Sequence, residues 1–190
     1  MTRPDSDAPI TLHGRKVRLR EFASTDLDAV HAIVGDPAVT DWLSFDTRDM
    51  TQASVMLAGI IERTAQRPRL EYYLAVTVPR EGTAIGFARL GLDGVNAAKL
   101  GYAIRADHWG HGYATDAAHT MISFGFQQLG LHRISAAIGP DNAASVAVVT
   151  RLGMQHEGRI RDHVHTNGAW RDSLLYSILE HEHRVLSQGS

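Results

Sequence analysis

One stretch limits the fold of this chain more than any other. KLGYAI, residues 99–104, has the pattern of a strand and leads into HWGHGYATDA, residues 108–117, where two glycines precede a long apolar-striped helix. Ala114, Ala118, Met121, Ile122, Gly125 and Leu129 share one face of that helix, Ala117, Phe124 and Phe126 widen it, and Gly130 ends the pattern. HRISAAIG, residues 132–139, then returns as a strand. Strand, crossover helix and strand in succession require a parallel element, so the chain is mixed α+β and not an all-antiparallel barrel.

The remaining periodicities fit around that unit. Leu12 to Leu19 reads as a strand, with Val17 and Leu19 alternating with Arg18 and Arg20. Leu27, Val30, Ile33 and Val34 have helical spacing and stop near Gly35-Asp36-Pro37; Ala53, Met56, Leu57, Ile60 and Ile61 stripe a helix from about Arg48 to Thr64. EYYLAVTV and TAIGFARL are strands of a meander that turns at residues 91–94. SVAVVTRLG is a short helix, and HEGRIRDHV and SLLYSILE are further strands. Residues 1–10 read as a flexible leader, 11–182 as a single domain and 183–190 as a flexible tail, since no Gly/Pro/Ser-rich linker divides the middle.

Composition removes several function classes. With 44% hydrophobic and 21% charged residues the chain can bury one core. It has no cysteine, hence no disulfide, thiolate metal site or catalytic thiol. Nineteen Lys and Arg against 21 Asp and Glu lack the basic excess of a dedicated nucleic-acid binder. No segment approaches the roughly 20 apolar residues that span a bilayer, and the start has no signal-peptide core, so a soluble cytoplasmic protein without membrane partners is expected. The 11 histidines form no HExxH pair, and no metal is expected.

Gly110 and Gly112 let backbone N–H groups around residues 110–115 converge where the helix begins, a site suited to phosphate oxygens. The same glycines also suit a tight strand-to-helix turn. A third glycine for GxGxxG is missing, and GxxxxGK[ST] is absent. Asn142 and Ser145 cap a turn and start a helix, or place an amide and a hydroxyl beside a ligand. Trp42 and Phe45 cap the core or wall an acceptor pocket.

VRLREF, GYAIRADHWGHGYATDA, HRISAAIGPDNAASVAVVTRLGM, EGRIRD and WRDSLLYSI, in this order, resemble the GNAT superfamily of acyl-CoA-dependent N-acyltransferases, and within it the RimJ/RimL-like branch of ribosomal-protein N-terminal acetyltransferases. The resemblance implies one domain with a central twisted, mostly antiparallel sheet, a parallel splayed pair and flanking helices. It implies acetyl-CoA as co-substrate and direct attack by a primary amine, favouring a peptide or protein N-terminal α-amine. A small-molecule amine such as an antibiotic or metabolite, and a non-catalytic acyl-CoA-binding regulator, are the alternatives; monomer and homodimer fit equally.

Carried over to this chain, the pyrophosphate loop is Trp109, Gly110, His111, Gly112, Tyr113, Ala114 and Thr115, with Trp109 where relatives often have Arg or Gln. Asn142 and Ser145 fall in the pantetheine region, Ser145 as proton donor, and a backbone N–H at Tyr102-Ala103 meets the thioester carbonyl. Asp116 stands where many relatives carry Glu and reads as a helix-end residue. A glutamate that some relatives use beyond the EG pair falls at about Val164, which has no carboxylate; Asp162 and His163 lie beside it and join Trp42 and Phe45 as acceptor-pocket candidates. Neutralising a Lys amine near pH 7 costs on the order of 4–5 kcal/mol, an α-amine roughly 1–1.5, so a missing base favours an α-amine.

Overall fold

The computed structural model describes residues 9–79 and 81–188. Eight strands, β1 (Thr11–His13), β2 (Arg18–Glu21), β3 (Glu71–Thr77), β4 (Ala84–Leu92), β5 (Ala97–Ile104), β6 (Arg133–Ile138), β7 (Gln155–Thr166) and β8 (Ala169–Leu179), form one sheet in the order β1-β2-β3-β4-β5-β6-β8-β7. Every neighbouring pair is antiparallel except β5 and β6. The helices are α1 (Leu27–Val34), α2 (Pro37–Thr40), α3 (Met50–Thr64), α4 (Tyr113–Gln127), α5 (Ala143–Arg151) and α6 (Glu180–Gln188). The mixed architecture, the mostly antiparallel sheet and the parallel pair expected from the sequence are all present.

Side-chain alternation divides the core between the two faces of the sheet. Along β3, Tyr72, Leu74 and Val76 point to one face, where they meet Ala117, Ala118, Met121 and Ile122 of α4. Tyr73 and Ala75 point to the other, against Val30 and Ile33 of α1 and Leu57 and Ile60 of α3. The central strands are covered on both sides, which is why β3 and β4 read as almost unbroken apolar runs. Met121 and Ile134 are each at most 1% exposed; truncating either to Ala would cost about 2–5 kcal/mol.

Local chemistry sets the helix starts. Asp49 caps α3, accepting from the Gln52 amide at 2.8 Å while Gln52 Oε1 accepts from the Asp49 amide. Buried Asp26 takes both terminal guanidinium nitrogens of Arg20 at 2.7 and 2.8 Å, joining β2 to the entry of α1. Burial opposes the Asp26 charge, but the Arg20 hydrogen bonds and the Ala23 amide outweigh it and hold the carboxyl below the usual range.

Three segments depart from the sequence expectations. Leu12 to Leu19 is not one strand: Gly14 N–H bonds Val17 C=O at 2.9 Å and folds the segment into the β1–β2 hairpin. Asp116 of α4 anchors that turn, accepting from the amides of Arg15, Lys16 and Val17 at 3.1, 2.7 and 2.9 Å; its carboxylate serves the hairpin rather than its own helix end. Beyond α1, the Asp36 side chain accepts from the Ala38 amide and Pro37 opens the extra helix α2. Of the residues read as a flexible tail, those through Gln188 are helical, with His183 buried against Phe126. Residues 1–8 of the expected leader and 189–190 of the tail lie outside the described residues.

Candidate active site

The parallel pairing of β5 with β6 is short: Ala97, Ala98 and Lys99 face Arg133, Ile134 and Ser135, and beyond them the strands separate. Both strands end on the same side and both lead through loops into helix N-termini, α4 after β5 and α5 after β6. A cleft of about 720 Å³ fills this opening, floored by Tyr102, Ala103 and Ile104 and walled by the starts of α4 and α5. Ligands of α/β sheets sit in such a crevice at the carboxyl ends of parallel strands.

The loop before α4 is shaped by its glycines. Gly110 and Gly112 have φ of +81° and +79°, a region other residues seldom adopt, and Gly112 is the residue preceding the first turn of α4. Lys16 donates to the His111 carbonyl at 2.8 Å, pinning the loop from the β1–β2 turn. Asp116 N–H closes the first helical bond onto Gly112 C=O, so the amides of Tyr113, Ala114 and Thr115 are the first-turn donors left without an intrahelical partner. All three residues line the cleft, where the helix dipole adds positive potential. This donor set and the extended cleft fit a diphosphate carrying a long arm.

Two groups in the middle of the cleft can act on a reacting carbonyl and its leaving group. Arg105 N–H bonds Ile85 C=O on β4, and the antiparallel register pairs Ala103 with Phe87, so the Ala103 amide faces β4. Tyr102, one residue earlier, turns its amide the other way, into the gap where β6 has withdrawn. Of the expected Tyr102-Ala103 pair, only Tyr102 therefore presents a donor to the cleft. Gly86 makes this packing fit, because a Cβ there would meet Ala103 O at 2.2 Å. The Tyr102 phenol reaches the Ser145 carbonyl at 3.4 Å, and burial pushes it up to about 12, which keeps its proton on. Ser145 is fixed by Asn142, whose Oδ1 caps α5 by accepting from the Ser145 amide at 3.0 Å.

A second cavity of about 360 Å³ adjoins the first and shares Trp42, Leu43 and Asp141 with it. Its wall joins two segments far apart in sequence, residues 42–44 and 137–173. Arg171 of β8 donates to the carbonyls of Asp41 and Leu43, and Asn167 at the β7–β8 turn donates from its amide N–H to Asp46 at 2.7 Å. Arg159 pairs with Asp172 at 2.5 Å across the hairpin. The Asp162 amide first, then the Arg159 guanidinium, lowers the Asp172 carboxyl, which stays ionised and engaged.

Residues 16–155, most of the domain, match the family described as the Acetyltransferase (GNAT) domain. The chain belongs to the GNAT acetyltransferase family. It is 30% identical over 176 residues to the uncharacterized N-acetyltransferase p20 of Bacillus licheniformis, covering 91% of this chain and 98% of that one. It is also 30% identical over 110 residues, 56% of this chain and 57% of the relative, to the ribosomal protein uS5-alanine N-acetyltransferase of Escherichia coli. Mycobacterium smegmatis RimJ, solved in complex with CoA-disulfide, superposes with a TM-score of 0.81 at 24% identity over 100% of this chain and 98% of that one, a likeness in fold. Membership supports acetyl-CoA-dependent acetyl transfer in general.

Within this GNAT domain the expected site residues separate into two sets. Trp109, Gly110, Gly112, Tyr113, Ala114, Thr115, Asn142 and Ser145 all line the first cleft. Trp109 adds an indole N–H that bonds the Ile104 carbonyl at 2.7 Å. His111 does not contribute its ring: Nδ1 donates back to the Trp109 carbonyl at 2.8 Å and the imidazole stacks on Tyr113. On the acceptor side Trp42, 46% exposed, lines both cavities. Phe45 packs with the α1–α3 core beneath Arg48, whose guanidinium lies 4.8 Å from its ring centre, and lines neither cavity. Asp162 and His163 sit in a bulge of β7 between Ile160 and Val164, which also carries them off both cavities. The sequence reading missed the Tyr102 phenol and Asp141. Asp141 stands beside the Asn142-Ser145 element, the one local signal that could have marked it.

Among the described residues, no group of three or more His, Cys, Asp or Glu is placed to hold a metal ion, and no helix is long and apolar enough to cross a membrane.

Proposed function

We propose that the protein is a RimJ/RimL-like N-acetyltransferase that moves acetyl from acetyl-CoA to the N-terminal α-amine of a peptide or protein by direct attack. The observation that carries this reading is the alignment of three features along one cleft: first-turn amides of α4, the Tyr102 amide in the β5–β6 gap with Ser145 beside it, and a second cavity opening at Trp42 and Asp141. The uS5-alanine N-acetyltransferase relative supports the acceptor class.

Acetyl-CoA, when bound, supplies the acetyl group as an activated thioester. The amides of residues 110–115 hold its diphosphate and so set how far its arm extends along the gap. The Tyr102 amide donates to the carbonyl oxygen, stabilising negative charge as it develops there. Ser145 Oγ supplies a proton to the departing sulfur and is reprotonated, through solvent, by the proton that the amine nitrogen loses on acylation; the Tyr102 phenol, 3.4 Å from the Ser145 carbonyl, is the alternative donor. No side-chain nucleophile is needed, because the amine itself attacks. Val164 lines the second cavity without offering a base, which favours an amine that sheds its proton readily.

Acetyl-CoA incubated with free α-amine peptides, N-terminally blocked Lys peptides and small amines, read by mass spectrometry over a pH series, tests the reading. Faster turnover of the α-amine peptides at neutral pH is expected. Faster Lys or small-amine turnover overturns the acceptor assignment, and acetyl-CoA binding with no acetylated product overturns the enzyme reading in favour of a regulator.

A further inference from the structure

The two cavities meet at three residues, and only one of them is charged. Trp42, Leu43 and Asp141 line both, so whatever passes from the second cavity to the Tyr102 amide passes an indole, an aliphatic side chain and a carboxylate. The backbone of Asp141 is held on both sides. Asn142 N–H bonds Gly139 C=O at 3.0 Å across a turn with Pro140 in its second position, and Ala143 N–H bonds the Asp141 carbonyl at 3.0 Å as α5 begins.

The other charged side chains of the second cavity already have partners. Arg159 and Asp172 are paired, and the terminal nitrogens of Arg171 are on the carbonyls of Asp41 and Leu43. Among the described residues the Asp141 carboxylate has no hydrogen-bond or ion-pair partner. An unpaired carboxylate and an exposed indole that line the same two cavities are a recognition pair for an ammonium group, by direct charge and by cation–π attraction.

We infer that Asp141 and Trp42 form the docking point of the acceptor's ammonium group, so that this enzyme captures cationic amines at the junction of the two cavities, where the amine passes its proton to solvent before it attacks. The inference rests on the transferase reading above. Asp141 acts on binding of the acceptor, while the β5–β6 gap and Ser145 act on the transfer itself, so their losses fall on different kinetic constants. Asn at this turn position is as well tolerated as Asp, which makes Asp141→Asn a change of charge more than of shape.

The test is steady-state acetylation of an alanine-initiated hexapeptide with a free α-amine, by wild type, Asp141→Asn, Asp141→Glu and Trp42→Leu, alongside calorimetric titration of each with acetyl-CoA. Asp141→Asn is expected to raise the peptide KM about tenfold or more with kcat changed less than about threefold and acetyl-CoA affinity unchanged. Asp141→Glu is expected to recover part of that loss, and Trp42→Leu to raise KM severalfold. Added salt should raise the wild-type KM more than that of Asp141→Asn. An unchanged KM in Asp141→Asn, or a parallel loss of kcat and acetyl-CoA affinity, overturns the inference while leaving the transferase reading in place. Wild type that acetylates neither the hexapeptide nor a small primary amine overturns that reading and this inference with it.

Discussion

The two cavities are built from different material. In the first, the donors assigned to the cofactor are main chain: the amides of Tyr113, Ala114 and Thr115 and the Tyr102 amide. In the second, the groups assigned to the acceptor are side chains, and the wall is tied together over long sequence distances, Arg171 to Asp41 and Asn167 to Asp46. Backbone donors are indifferent to most side-chain changes but depend on local φ; a wall of side chains tolerates backbone adjustment and depends on each tie. The cofactor side of the cleft should therefore fail through conformation and the acceptor side through loss of individual contacts.

The largest effect is expected where the two halves meet the chemistry. Ser145→Ala should lower kcat about 10²-fold, with acetyl-CoA affinity nearly unchanged in titration calorimetry. If kcat survives in Ser145→Ala and collapses in Tyr102→Phe, the phenol is the proton donor. Next is Gly112→Val: a β-branched residue at φ +79°, with Lys16 Nζ 3.2 Å from the new Cβ, should weaken acetyl-CoA binding by roughly tenfold or more and leave the peptide KM little altered. Equal loss on both substrates would show that the two sides are not separable.

Arg171→Leu should do the reverse, freeing residues 41–43 and raising the peptide KM severalfold, about tenfold at most, while acetyl-CoA titrates as before. The smallest effect is on stability. The guanidinium of Arg133, and then the Ser177 hydroxyl, hold Glu157 at about 2, tying β6, β7 and β8 together. A depressed carboxyl contributes stability that is full above its ordinary value near 4.5 and is lost as pH falls through about 2. Glu157→Gln should therefore lower stability at neutral pH by less than about 1 kcal/mol and flatten the acid side of a denaturation–pH profile, since the pair is partly exposed.

The same contrast explains what was legible in the sequence. The cofactor side is local: a strand, two glycines, a striped helix and an Asn three residues before Ser are neighbours in the chain, and period and capping rules read them directly. The central meander and both long helices were recoverable for the same reason. The β1–β2 hairpin was not, because the residue that organises its turn is Asp116, about a hundred positions away. Phe45 and Trp42 look alike in sequence, yet the α1–α3 core claims one and the cavities the other. Asp162 and His163 stand next to Val164 in sequence, yet with the β7 bulge between Ile160 and Val164 only Val164 lines the second cavity.

A crystal structure with coenzyme A bound addresses the cofactor geometry without reference to any acceptor. Diphosphate oxygens within about 3 Å of the amides of residues 110–115, with the sulfur in the β5–β6 gap beside Tyr102 N–H and Ser145 Oγ, are predicted. Coenzyme A lodged elsewhere, for example in the polar cavity between His13, Arg15 and His119, or bound with those amides turned away, would contradict the account.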